Sequence, residues 1–224
     1  MAEMLNPHAG AGVDTHRRVE ELIDQPGPGW VVDAGAGHGA FTQVLVRNGY
    51  RTVGLEIKPG HFRCRSAPHI LVDVDRGLPI APSSLDGIVA IELIEHLECP
   101  LFFVREAARV LRMGGWMVVT TPNVLSLGSR LEFLVRGYVS GFCENEFRDN
   151  GHISPVSLLD LRRIGERAGL EVEAVTYNVG RFPLPGIYRR LTTRRDLFRN
   201  AMFGESLIVR LRKTRLPRRQ IVRG

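Results

Sequence analysis

Val31-Val32-Asp33-Ala34-Gly35-Ala36-Gly37-His38-Gly39-Ala40-Phe41 is an apolar run that breaks into alternating glycines and then resumes with helical spacing. A buried strand that turns sharply into a helix has this pattern. Gly35, Gly37 and Gly39 remove Cβ atoms where the backbone needs unusual dihedrals and where a ligand can approach the main chain. The following helix offers unpaired N–H groups at its first turn. The stretch therefore predicts a crevice holding a small molecule at a strand-to-helix turn.

Upstream, residues 1–12 are rich in Gly, Ala and Pro, and Asp14 or Thr15 can cap a helix through Val19 and Ile23 that Pro26-Gly27-Pro28 ends. Residues 1–27 read as a flexible segment and helix ahead of a main domain over residues 28–211. After the glycines, Phe41, Val44 and Leu45 face inward from a helix stopped by Asn48-Gly49. A second strand, Arg51–Ile57, ends near Glu56, and a third, His69–Val74, carries Asp73 and Asp75 at its end. A fourth, Asp86–Ile91, leads into Glu92-Leu93-Ile94-Glu95-His96-Leu97. A helix over Pro100–Arg112, closed by Gly114-Gly115, precedes a fifth strand, Trp116–Thr121. Residues 124–137 have a helical pattern, and residues 137–153 read as an irregular insertion over the mouth of a site. Ser154-Pro155 opens a helix that Gly169 ends, and Leu170–Tyr177 and Glu205–Leu211 are the last strands. The alternation predicts the α/β class: a doubly wound, mostly parallel seven-stranded sheet with helices on both faces and an antiparallel edge.

The 224 residues suit one well-buried domain with an appendage. Cys64, Cys99 and Cys143 are odd in number and far apart, so neither a disulfide framework nor a zinc site is expected, and no metal is assigned. The start lacks the pattern of a signal peptide and no apolar run approaches the roughly 18 residues of a membrane span, so a cytoplasmic protein is expected. The net charge of +6 hides an asymmetry: residues 1–180 carry 17 basic and 22 acidic side chains, residues 181–224 carry 13 and 2. The arginine-rich segment 181–204 and the basic tail 212–224 are either a solvated end or a surface for something acidic: a membrane, a nucleic acid or a glycan carrier.

In a doubly wound sheet the ligand lies beyond the carboxyl ends of the strands, which brings Asp33 to Gly39, Glu56, Asp73 and the Glu92 region together. Glu56 follows the glycines by about twenty residues, where a carboxylate accepts from both hydroxyls of an adenosine ribose. Gly35-x-Gly37-x-x-Ala40 also satisfies a dinucleotide pattern formally, so an NAD(P)-dependent oxidoreductase is an alternative. Asp33 within the turn opposes a pyrophosphate and favours a cation, and Asp73 is placed to accept from an adenine amino group.

Val31-Val-Asp-Ala-Gly-Ala-Gly-His-Gly39 resembles the first motif of the class I S-adenosylmethionine-dependent methyltransferases, and Val53-Gly-Leu-Glu56 resembles the acidic end of their second strand. Asp73 to Pro79, Leu85 to Val89, Ile94 to Leu97, Arg109 to Gly115 and Thr120 to Asn123 resemble the small-molecule branch of that family in order and spacing. Leu85 stands where the family often has Phe. The resemblance covers roughly residues 28–180. It implies S-adenosylmethionine as cofactor, with the methionine moiety on Asp33, Gly35, Ala36, Gly37, Gly39 and Phe41, and Glu92 close by. It places the ribose on Glu56, and the adenine between Ile57 and Val74 with its amino group on Asp73.

The candidate catalytic residues are His96 and His152. Glu95-His96 either orients substrate and takes a proton or caps the next helix, while His152 is either a base near the acceptor or a loop histidine bonded to backbone. His38 is expected behind the first layer of contacts. Phe133-Leu134-Val135, Tyr138, Phe142 and Phe147 line an acceptor pocket or form an ordinary apolar helix face. The absence of an Asn-Pro-Pro-Tyr-type motif after the fourth strand favours an oxygen acceptor on a small molecule, lipid or glycan. A third reading is a non-catalytic module with the cofactor fold, binding a membrane or nucleic acid through residues 181–224.

Overall fold

The computed structural model of the protein describes residues 14–23, 27–178 and 200–217. Its elements are α1 (Thr15–Glu20), β1 (Trp30–Ala34), α2 (Ala40–Arg47), β2 (Arg51–Glu56), β3 (His69–Leu71), β4 (Leu85–Ala90), α3 (Pro100–Val110), β5 (Leu111–Pro122), α4 (Leu127–Arg136), α5 (Glu144–Asn150), α6 (Leu158–Ala168), β6 (Leu170–Tyr177) and β7 (Ser206–Lys213). They build one seven-stranded sheet in the order β3-β2-β1-β4-β5-β7-β6. The first five strands in that order are parallel; β7 runs antiparallel to both β5 and β6. The last two strands thus form the expected antiparallel pair, with β7 slotted inside and β6 at the edge.

Both faces of the sheet are covered, and successive residues of the central strands divide between two apolar layers. Val32, Ile88 and Met117 face α3 and α6, while Val31, Val89 and Val118 face α1 and α2 with Leu45 and Trp116. The register Val32↔Ile88 and Ile88↔Met117 keeps each layer continuous.

Three boundaries differ from expectation for identifiable reasons. β3 ends at Leu71 because the Asp73 carboxylate accepts from Asp75 N at 3.1 Å and starts a single turn of 3-10 helix over Val74–Arg76. α6 starts at Leu158 rather than Pro155, since Ser157 and Asp160 form a reciprocal capping box there. Within the expected irregular insertion, residues 144–150 are helical, supported by pairs four apart, Arg148–Glu144 and Asn150–Glu146. Seven residues are too few to print a period on the sequence.

The basic end also needs correction. Arg212 and Lys213, the first residues of the expected tail, lie in β7 together with Arg210. Arg210 and Arg212 both pair with Glu173, and Lys213 donates from a buried position to the Leu111 carbonyl at 2.6 Å. Residues 181–199 and 218–224, on which most of the proposed acidic-surface contact was placed, lie outside the described residues. No helix among the described residues is long and apolar enough to cross a membrane.

Candidate active site

The crevice opens at the carboxyl ends of β1, β2 and β4, where the parallel strands leave their last carbonyls and the helices begin. Asp33, next to last in β1, is buried, and its Oδ2 accepts from Thr42 Oγ1 at 2.6 Å. Burial pushes its carboxyl up to about 7; the Thr42 hydrogen bonds oppose the shift and the nearby Glu56 charge adds to it. Gly37, at φ 54°, has nothing within 4 Å of where a Cβ would sit and faces open space. Gly39 is different: a Cβ there would stand 2.5 Å from Cys64 Cβ, so this glycine packs the start of α2 against the 61–64 loop.

Glu56 closes β2 and holds the glycine loop in place. Its two oxygens accept from Gly37 N at 2.8 Å and Lys58 N at 2.9 Å, and Ala36 N donates to the Leu55 carbonyl. The loop is therefore fastened to the neighbouring strand by its own backbone N–H groups. Both acids after β3 line the crevice: Asp75 accepts from Glu98 N and Cys99 N at the approach to α3, while Asp73 accepts from Asp75 N and pairs with the exposed Arg76.

Two cavities of about 540 and 440 Å³ make up the crevice, sharing Gly35, His61, Glu92, His96 and Asn150. The first is lined by Asp33, Gly35, Ala36, Gly37, Phe41 and His152, the second by Glu56, Ile57, Asp73 and Val74. Every expected site residue except Gly39 lies on one of them. Lys58, His61 and Asn150 line the crevice too and were not expected. They arrive on the loop after β2 and at the end of α5, and no spacing in the sequence marks them. His38, expected further back, bonds the His61 carbonyl through Nδ1 at 2.9 Å and also reaches the first cavity.

At the junction of the cavities stand Glu92, Glu95, His96 and His152. Glu92 has a positive φ of 47°, its N–H donates to Thr120 Oγ1, and Thr120 Oγ1 donates to Glu92 Oε1 at 2.7 Å. Burial raises Glu92 above the usual carboxylate range, against the hydrogen bonds from Thr120 and Ser206. Glu95 is fully buried, and burial together with the Glu92 charge lifts it further. Neither Glu95 nor His96 caps α3, whose N-cap is Cys99 ahead of Pro100 at the first position; the capping alternative does not hold. The Glu95 carbonyl instead accepts from Ile153 N and Ser154 N, both at 2.9 Å. That pairing draws His152 against His96, with ring centroids 4.8 Å apart. Burial lowers His96 below its ordinary value, with a further push from His152.

A third cavity, about 730 Å³, meets the crevice at Glu92. Its walls come from the start of α4 (Leu127, Gly128, Ser129, Leu131), from Ser140, Gly141 and Glu146, and from residues 202–206. Asn123 fastens these pieces together, donating from Nδ2 to the Ala201 and Gly204 carbonyls at 2.9 Å. Phe133, Leu134 and Val135 are neither in this wall nor in a core-facing helix side; Leu134 and Val135 are 78 and 82 % exposed.

An α/β sheet with a glycine-turn crevice, a buried acid in the turn and a second acid about twenty residues on defines a binder of a cationic adenosine ligand. The chain belongs to the methyltransferase family: a methyltransferase-domain model matches residues 13–175. It is 31% identical over 181 residues to a ubiquinone biosynthesis O-methyltransferase of Methylobacterium sp. strain 4-46, covering 77% of this chain and 70% of that one. An S-adenosylmethionine-dependent methyltransferase of Mycolicibacterium smegmatis is 30% identical over 150 residues, 64% of this chain; the match spans only 52% of that relative. Among solved structures, an S-adenosylmethionine-dependent methyltransferase from Mesorhizobium loti superimposes with a TM-score of 0.62 at 17% identity, covering 88% of this chain and 96% of that one. S-adenosylmethionine is the cofactor of this family, and the residues fit it. The buried Asp33 complements a cation, the open space at Gly37 admits a ligand to the main chain, and Ile57 and Val74 supply apolar walls beside Asp73. The dinucleotide alternative gives way, because a buried acid inside the turn opposes a pyrophosphate.

Proposed function

We propose that the protein moves a methyl group from S-adenosylmethionine to an oxygen of a small-molecule, lipid or glycan acceptor. The observation that carries this reading is the third cavity, which meets the cofactor crevice at Glu92 and is large enough for a drug-sized ligand. When bound, the cofactor supplies a sulfonium methyl that is already a strong electrophile, so the protein contributes binding, alignment and exclusion of water. Asp33 and the glycine loop hold the cationic end, Glu56 the ribose and Asp73 the adenine edge. Leu127, Leu131 and Met202 give the acceptor an apolar seat, while Ser126, Ser129 and Ser140 offer it hydrogen bonds. Burial disfavours the charged form of His96 and His152 lies against it, so the junction offers an imidazole to a hydroxyl proton. The O-methyltransferase among the relatives supports an oxygen acceptor.

The positive charge outside β7 supports contact of residues 181–224 with an acidic lipid surface; loss of flotation with anionic vesicles on truncation after residue 217 tests it. For the reaction itself, purified protein is incubated with methyl-labelled cofactor and fractionated metabolite and lipid extracts. One compound is expected to gain the label on an oxygen. Label on nitrogen or carbon contradicts the oxygen assignment, and no transfer from any fraction contradicts the reading.

A further inference from the structure

We propose that Glu95, His96 and His152 form a binding site for a first-row divalent cation at the junction of the cofactor crevice and the acceptor cavity. Their candidate ligand atoms all lie within 4.8 Å of one another. Ligand atoms around a tetrahedral ion bound at about 2.1 Å sit about 3.4 Å apart, so the trio needs to close by roughly 1 Å, within reach of side-chain rotation.

Two features distinguish this cluster from an incidental meeting of polar groups. Glu95 is fully buried, and although Thr121 and the Glu92 carboxylate are its polar neighbours, neither of its oxygens makes a hydrogen bond of good geometry with them. Burying a carboxylate without compensation is costly, and a cation supplies the missing partner. Both imidazoles are also oriented from behind. His96 Nδ1 lies 3.3 Å from the Gly151 carbonyl and His152 Nδ1 lies 2.7 Å from the Gly141 carbonyl. A carbonyl only accepts, so each Nδ1 carries the proton and each Nε2 keeps a free lone pair. Metal-binding histidines are held in this way, the far nitrogen donating to a backbone carbonyl or carboxylate. The hydrogen bonds from Ile153 N and Ser154 N to the Glu95 carbonyl lock the two contributing segments together.

Two imidazoles and one carboxylate suit borderline ions such as zinc, cobalt or ferrous iron rather than calcium. Three protein ligands leave coordination positions open, as in catalytic rather than structural sites. Glu92 lines both the crevice and the third cavity, so an ion beside it is placed to take an acceptor oxygen and to ease loss of its proton, which passes to the Glu92 carboxylate when both imidazoles are engaged by the ion. This last role rests on the oxygen-acceptor reading above; the cation site does not.

The test uses untagged, metal-free full-length protein titrated with Co2+ alone and followed by its visible absorption. One saturating equivalent with ligand-field bands is expected. His152→Ala and the near-isosteric Glu95→Gln should each weaken Co2+ binding at least about tenfold. Glu95→Gln, whose side chain lines none of the three cavities, should keep its affinity for S-adenosylhomocysteine, measured without metal, within about threefold, which controls for folding. Absence of saturable Co2+ absorption in the wild type, or binding unchanged in both variants, overturns the site. If S-adenosylhomocysteine binds while Co2+ does not, the metal site alone fails; if S-adenosylhomocysteine does not bind, the cofactor reading fails separately.

Discussion

The two sides of the active site are built by different means. On the cofactor side, the glycine loop, Glu56 and Asp73 stand at or just beyond the ends of β1, β2 and β3, and the Gly37 N–H fastens the loop to a carboxylate nineteen residues away. On the acceptor side, the wall is assembled across the chain: Asn123 reaches the Ala201 and Gly204 carbonyls 78 and 81 residues on, and Asn178 bonds Thr15 and Ser206. Local chain geometry dictates the first, and sheet topology, with β7 returning antiparallel beside β5, dictates the second. A class of enzymes can thus keep one cofactor grip while the acceptor wall changes.

Breaking the cofactor side should have the largest effect. Glu56→Ala removes the ribose acceptor and frees the Gly37 and Lys58 N–H groups, so S-adenosylhomocysteine affinity should fall by about 3 kcal/mol, more than a hundredfold, in calorimetry. A loss below tenfold would show that the crevice does not use this acid. Within the glycine turn two substitutions separate ligand approach from packing. Gly39→Ala meets Cys64 at a φ of 85° and should lower stability by about 2–4 kcal/mol, visible as a drop in melting temperature. Gly37→Ala should lower it by only about 1 kcal/mol while weakening cofactor binding, because its Cβ would point into open space.

Asp33 gives the pH dependence. Its folded pKa of about 7 stands above the ordinary value of 3.8, so its contribution to stability is present below about pH 4 and is lost as pH rises through 7. A cationic ligand prefers the ionised carboxylate, so affinity should fall about tenfold per pH unit below 7 and level off above it. Asp33→Asn should flatten this profile, weaken S-adenosylmethionine binding and raise the melting temperature at pH 8. An unchanged profile in the variant would assign the titration to another group. On the acceptor side, Leu131→Ser should have the smallest effect: about a fivefold rise in KM for the acceptor, from about 1 kcal/mol of lost apolar contact, with cofactor affinity unchanged.

The same division explains what could be read from the sequence. The sheet, its strand-to-helix turn, and Asp33, Glu56 and Asp73 were legible because glycine, strand-end acids and alternating apolar runs act over a few residues. His96 and His152 were legible as residues but not as neighbours. Their meeting depends on the Glu95 carbonyl binding Ile153 and Ser154, a contact with no local signature. α5 was hidden by its length, and the third cavity by the long-range hydrogen bonds of Asn123. Arg212 and Lys213 looked like tail because charge is normally solvated; in β7 Arg212 meets Glu173 and Lys213 the Leu111 carbonyl.

The most direct test is a calorimetric titration of wild-type protein at pH 8 with S-adenosylmethionine, with NADH as the competing adenosine ligand. One molecule of S-adenosylmethionine should bind per chain, with no heat from NADH. Binding of NADH, or saturable binding of neither, would contradict an acidic crevice made for a cationic adenosine cofactor.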